Sequence, residues 1–166
     1  MSANWRTAFF TQARSDYHVL LRLMETPGTE RCHVLHYLQM TTEKLAKGFS
    51  TDGNTQPPVQ HLGFVRFLQT AKNQHSQLRR VFQAKNPRHF SDYLNGLLPI
   101  AREIEQLAPR GTRQTPNPEY PWKTPVDNVI VAPCEHDFSF LEPRNPKMSR
   151  LLGFLDRRVR YTEVES

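Results

Sequence analysis

Hydrophobic residues recur at helical spacing through the N-terminal part of the chain. Trp5, Phe9, Ala13, Tyr17, Leu20 and Met24 follow one another at steps of three and four, which aligns them on one stripe of a helix over residues 3–25. Thr26-Pro27-Gly28-Thr29 supplies a stop and, in Thr29, a cap for the next helix. That helix is predicted over residues 30–47, with Cys32, Leu35, Leu38, Thr42 and Leu45 turned inward and Gly48 as its C-cap. Residues 50–58 read as a loop. After it, Leu62, Val65, Leu68, Ala71, Leu78 and Val81 or Phe82 keep the period to residue 84, with a break near residues 73–76. Asn86-Pro87 interrupts, and Tyr93, Leu97, Ala101, Ile104 and Leu107 or Ala108 mark a fourth helix from Ser91, kinked at Pro99. Four amphipathic helices with mostly short connections predict an all-α fold, an antiparallel bundle of four to five helices.

The prolines then change the picture. Five occur before residue 109 and eight between Pro109 and Pro146, and proline removes a backbone donor and disfavours helix at the residue before it. Residues 109–146 are therefore expected to be irregular and packed on the bundle. The apolar run Val129-Ile130-Val131 is too short to separate a strand from a stretch lying along the helices. A last helix over residues 147–160 presents Leu152, Leu155 and Val159. The expected organisation is one domain over residues 1–166, with its helical core at 3–108.

Charge is distributed unevenly. Lys and Arg number 22 against 16 Asp and Glu, a net +6, and between Gly53 and Ser91 there is no acidic residue beside Arg66, Lys72, Arg79, Arg80, Lys85 and Arg88. That segment carries the whole excess, and the rest of the chain sums to zero. Its cations alternate with Phe64, Phe67, Phe82 and Phe90 and with His61, His75 and His89, the composition of a surface that holds phosphates by charge and bases by stacking. Helical periodicity assigns most of those aromatics to the core instead, which leaves a solvated basic face as the competing reading. Two cysteines are too few for a disulfide framework. The N-terminus shows no apolar signal run, and no stretch approaches the roughly 20 apolar residues of a membrane span, so a cytoplasmic location and no membrane partner are expected.

The second helix reads Gln39-Met40-Thr41-Thr42-Glu43-Lys44-Leu45-Ala46-Lys47-Gly48. It follows a helix with Ala13 and Asp16 three apart and precedes Pro57-Pro58-Val59-Gln60-His61. This arrangement resembles the HEPN domain family, whose second helix typically carries a Gln, small residues, Glu-Lys and a further Lys, with a loop and a His opening the third helix. Tyr120-Pro121 is similar to a Tyr-Pro pair that many members show there, so the resemblance covers residues 8–122. Its signature positions here are Asp16, Gln39, Glu43, Lys44, Lys47 and His61. Gln39 and Glu43 suit polar contacts with neighbouring helices, while Glu43 and Lys47 also fit an ordinary surface ion pair.

The resemblance implies an all-α bundle that commonly dimerises. In catalytic members it implies an endoribonuclease with an Arg, four to six intervening residues and a His on a late helix, the Arg binding the scissile phosphate and the His moving protons. That pair is missing from its usual place: His136 is the one histidine after Ser91, and the nearest earlier arginine is Arg113. Arg31 and His36 have the spacing but lie on the second helix. Cys32 and His36, with Cys134 and His136, are the weak candidates for a zinc site. No glycine-rich phosphate loop, Ser-His-Asp arrangement or HExxH helix appears, and no cofactor is expected.

The reading is a HEPN-like binding or accessory module, a homodimer, that takes RNA, a nucleotide or a cognate partner protein through the basic surface of residues 53–91. Two alternatives stay open. One is an endoribonuclease of toxin or defence type with a displaced pair at Arg31 and His36, which a nucleotidyltransferase-like neighbouring gene would favour. The other is a helical structural or interaction protein whose Pro-rich segment binds another chain.

Overall fold

The computed structural model describes residues 4–55, 63–74, 82, 86–107, 116–139, 142 and 145–164. Its elements are α1 (Trp5–Glu25), α2 (Arg31–Ser50), α3 (Phe64–Gln74), α4 (Pro87–Asn95), α5 (Leu98–Gln106), a two-residue strand pair β1 (Trp122–Lys123) and β2 (Ile130–Val131), a 3-10 turn (Pro133–Glu135) and α6 (Pro146–Val164). The fold is all-α, as the hydrophobic period predicts. None of the described helices is long and apolar enough to cross a membrane.

The α1–α2 hairpin is the most extensive helix pair among the described residues. Ala13, Tyr17 and Leu20 from α1 and Cys32, Leu35, Leu38 and Leu45 from α2 are all buried. Trp5, expected on the same stripe, is 39% exposed in the first turn of α1. Asn4 caps α1 by accepting from the Thr7 amide, and the two outer ends are tied together where the Trp5 amide donates to the Gly53 carbonyl at 3.0 Å and the Arg6 guanidinium to the Thr51 carbonyl at 2.7 Å.

Several element ends differ from the prediction. Gly48 lies inside α2, which runs on to Ser50. A Cβ at Gly48 would stand 2.5 Å from a ring carbon of Phe10, so this glycine serves close approach of α1 and does not end the helix. Glu30, without a side-chain bond, precedes α2, while Thr29 Oγ1 donates to the Thr26 carbonyl in the turn that Gly28 makes at φ +79°. The single kinked helix expected from Ser91 is two helices. Asn86 caps α4 by accepting from the His89 amide, Pro87 sits in its first turn, and the chain breaks at Gly96 and Leu97. Pro99 falls in the first turn of α5, where its missing N–H costs nothing, so it starts a helix where a kink was expected. Of the third predicted helix, Leu62, Leu78 and Val81 lie outside the described residues.

Around this frame, α3 packs on α2, α4 and α5, and α6 packs on α1 and α5. Glu105 of α5 fixes the start of α3: its Oε1 accepts from the backbone amides of Gly63 and Val65 at 3.0 and 2.9 Å. A carboxylate there satisfies amides that a helix start leaves open and complements its dipole. The inner face of α6 is Leu151, Phe154, Leu155, Arg158 and Val159, with Leu152 only half-buried at its edge. An aromatic network of Phe64, Phe67, Phe82, Phe90 and Phe154 joins α3, α4 and α6.

Residues 116–139 form an irregular strap, anchored by buried Trp122 and Phe138. Ile130–Val131 pairs antiparallel with Trp122–Lys123, Trp122 opposite Val131. Ile130 is 74% exposed, so the apolar run is a short hairpin strand and not a stretch lying along the bundle. The turn between the strands places Asn128 at φ +56°, a region that asparagine tolerates.

Candidate functional site

The basic segment separates into buried rings and exposed cations. Phe64 and Phe67 of α3, Phe90 of α4 and Phe82 are buried at 2, 2, 2 and 7% exposure. Arg66 on α3 and Arg88 and His89 in the first turn of α4 are exposed. The two helices pack against each other and neither has an acidic residue in its first turn, so the positive end of the α4 dipole adds to its side chains. Among the described residues no carboxylate pairs with Arg66 or Arg88. Lys72 lies on α3, and Arg79, Arg80, Lys85, His61 and His75 lie outside the described residues.

Of the residues that carry the family resemblance, Asp16, Gln39 and Glu43 are buried, Lys44 and Lys47 half-buried, and Tyr120 exposed. Gln39 Nε2 donates to the Ile104 carbonyl of α5 at 2.9 Å, a buried bond between helices. Lys47 Nζ meets Glu43 Oε1 at 2.6 Å with only 16 and 7% of the side chains exposed, so this is a largely enclosed pair. Asp16, also buried, accepts from Gln12 Nε2 at 2.8 Å. Lys44 Nζ lies 2.9 Å from Met40 Sδ, and Lys47 Nζ is 5.9 Å from the centre of the Phe9 ring. Gln39 thus links α2 to α5, while Glu43 and Asp16 find their partners one turn away on their own helices, which accounts for polar types on a buried face.

Arg31 and His36 are engaged by the strap. The Arg31 guanidinium bonds Asp137 and reaches Glu142 Oε1 at 3.4 Å, a half-exposed triad whose contribution to stability is modest. His36 Nδ1 faces Glu119 Oε1 at 3.4 Å. Asn117 Oδ1 accepts from the amides of Glu119 and Tyr120 at 3.0 and 2.7 Å, and this turn aims the Glu119 side chain. No three of the four weak zinc candidates come together. His136 sits edge-on between Trp122 and Phe138, with ring centres 5.1 and 4.7 Å away, and no group of three potential ligands forms among the described residues. A cavity of about 190 Å³ opens beside Arg31 over Leu23, Met24 and Val34. It is smaller than the roughly 300–1,000 Å³ of a typical small-molecule site.

Cys32 is buried and Cys134 exposed. Burial first, and then the nearby Cys134 and Glu30, hold the Cys32 thiol above its usual value of 9.0. Folding therefore favours the neutral thiol: its stabilising effect is complete below the unfolded value and is lost as pH rises through the higher folded one. At neutral pH Cys134 is expected to alkylate with iodoacetamide at least about tenfold faster than Cys32. Peptide mapping after timed quenching checks this, and equal rates would contradict it.

Glu119, Asn117, Glu105 and Arg158 escape sequence reasoning. Asn117-Pro118-Glu119 carries a local turn signal, but nothing local indicates which histidine Glu119 meets. Protein-family models, curated proteins and solved structures were compared with the chain, and none matches.

Proposed function

We propose that this chain is a HEPN-like, non-catalytic binding module that docks a phosphate-bearing partner, RNA in the first instance, on the cationic surface of residues 53–91. One observation carries the reading: the aromatics of that segment point into the core while Arg66, Arg88 and His89 point out. Such a face offers charge without the stacking platform that reads single-stranded bases. Binding is then governed by phosphates, indifferent to base sequence and steeply weakened by salt. The engagement of Arg31 by two carboxylates favours this reading over a displaced nuclease pair, because a scissile phosphate would compete with both. A homodimer is the setting the family resemblance supplies, and a solution mass tests it.

Fluorescence anisotropy with labelled RNA oligonucleotides of equal length and scrambled sequence tests the function. Affinities within about threefold of one another, lost between roughly 0.05 and 0.5 M salt, are expected. Salt-independent binding, or strong preference for one sequence, would overturn the electrostatic reading. Cleavage of the RNA, abolished in Arg31→Ala and His36→Ala, would establish the nuclease instead.

A further inference from the structure

We propose that Cys32 and Cys134 are a disulfide-forming pair, and that their oxidation by a low-molecular-weight disulfide fastens the strap onto α2. The two thiols are 102 residues apart in sequence, and the fold brings their elements together: the 3-10 turn Pro133–Glu135, which contains Cys134, packs on α2, which contains Cys32. Cα atoms of the turn approach those of α2 within 8 Å, and a disulfide takes Cα separations of about 4.4–6.8 Å. The register is pinned beside both cysteines. Arg31, next to Cys32, bonds Asp137, three residues after Cys134, and one turn further along α2 His36 faces Glu119. The effect of Cys134 on the ionisation of Cys32 agrees with this proximity.

Exposure sets the order of steps. Cys134 is open to solvent and its thiolate attacks one sulfur of oxidised glutathione, forming a mixed disulfide and releasing one glutathione thiolate, which takes up a proton. Cys32 then loses its proton to solvent, and its thiolate attacks the Cys134 sulfur, expelling the second glutathione. Two electrons pass from the cysteines to the glutathione disulfide, and the two cysteine protons are balanced by those on the released thiols. Because burial disfavours the Cys32 thiolate, the second step is slow at neutral pH and accelerates as pH rises. The product joins α2 to residues 116–139 by a covalent bond where the reduced chain uses half-exposed ion pairs.

The reduced full-length chain is treated with oxidised glutathione and followed by intact mass, non-reducing peptide mapping and thermal unfolding. The expected product is a monomer lighter by two hydrogens, with Cys32 and Cys134 in one linked peptide. Its Tm should lie roughly 10 °C higher, because the bond closes a long loop, and dithiothreitol should reverse the shift. Cys134→Ser, at an exposed position, should keep its fold, stay reduced and show no shift. A wild-type product that stops at glutathione on Cys134, or disulfide-linked dimers through Cys134, would overturn the proposal.

Discussion

Phe154→Ala is expected to destabilise the protein by about 3–5 kcal/mol, the usual cost of truncating a buried phenylalanine. Phe154 is fully buried and stacks on Phe82 with ring centres 5.1 Å apart and planes 8° apart, while Phe64 and Phe67 lie at 6.1 and 6.4 Å. It is the side chain through which α6 joins the rings of α3. Its removal takes away both the transfer free energy of the ring and the contacts on its walls, since rigid neighbouring rings cannot collapse into the gap. A domain of ordinary stability, about 5–15 kcal/mol, would lose a third or more of it. Urea unfolding measures the change: the midpoint should fall while the slope stays constant. A loss under about 1 kcal/mol would mean that α6 does not pack on this core.

The second large effect is expected at Arg158, a buried charged residue on the inner face of α6. Its guanidinium carbon lies 4.3 Å from the centre of the Phe49 ring and 5.3 Å from that of Phe10. A desolvated cation over an aromatic face contributes about 2 kcal/mol or more, and the aliphatic stem adds packing. Arg158→Ala should therefore cost about 2–3 kcal/mol. Arg158→Lys should recover less than half of it, because a compact, strongly hydrated ammonium does not stack as a planar guanidinium does. Arg157 provides the contrast: it is exposed, 5.9 Å from the Phe82 ring, and Arg157→Ala should change stability by no more than about 0.5 kcal/mol. Equal effects of Arg157→Ala and Arg158→Ala by urea unfolding would refute the distinction.

Arg158 also illustrates what periodicity reveals and what it hides. Leu155 and Val159 fix the inner face of α6, and position 158 falls on that face by spacing. A charged residue there reads as solvent-facing until Phe10 and Phe49 are brought beside it from α1 and α2. The long helices were legible because their apolar stripes are continuous: Ala13, Tyr17 and Leu20, or Leu35, Leu38 and Leu45, are buried as their spacing requires. Element ends were less legible, because proline and glycine act through context. Pro99 starts α5 although proline inside a helical period suggests a kink, and Gly48 is selected by the Phe10 ring although glycine after a helical run suggests a stop. At the site, the polar type at Gln39 marked a contact between helices, Glu43 pairs instead with Lys47 of its own helix, and the inward phenylalanines of residues 53–91 followed from their period. The strap contacts did not follow, since His36 and Glu119 are 83 residues apart in the chain and only the packed fold sets their meeting.

The central claim is that the exposed cations of residues 53–91 hold a phosphate-bearing partner. Its most direct test is the salt dependence of RNA affinity for the wild type and for the double reversal Arg66→Glu and Arg88→Glu, with Arg102→Glu, at an exposed position of α5, as the control. Each lost phosphate contact on a single strand should remove about 0.7 from the slope of log K against log salt, so the double variant should lose about 1.4. Its affinity near 0.1 M salt should fall roughly tenfold or more, while the control keeps the wild-type slope. A double variant whose slope and affinity match the wild type would contradict the claim.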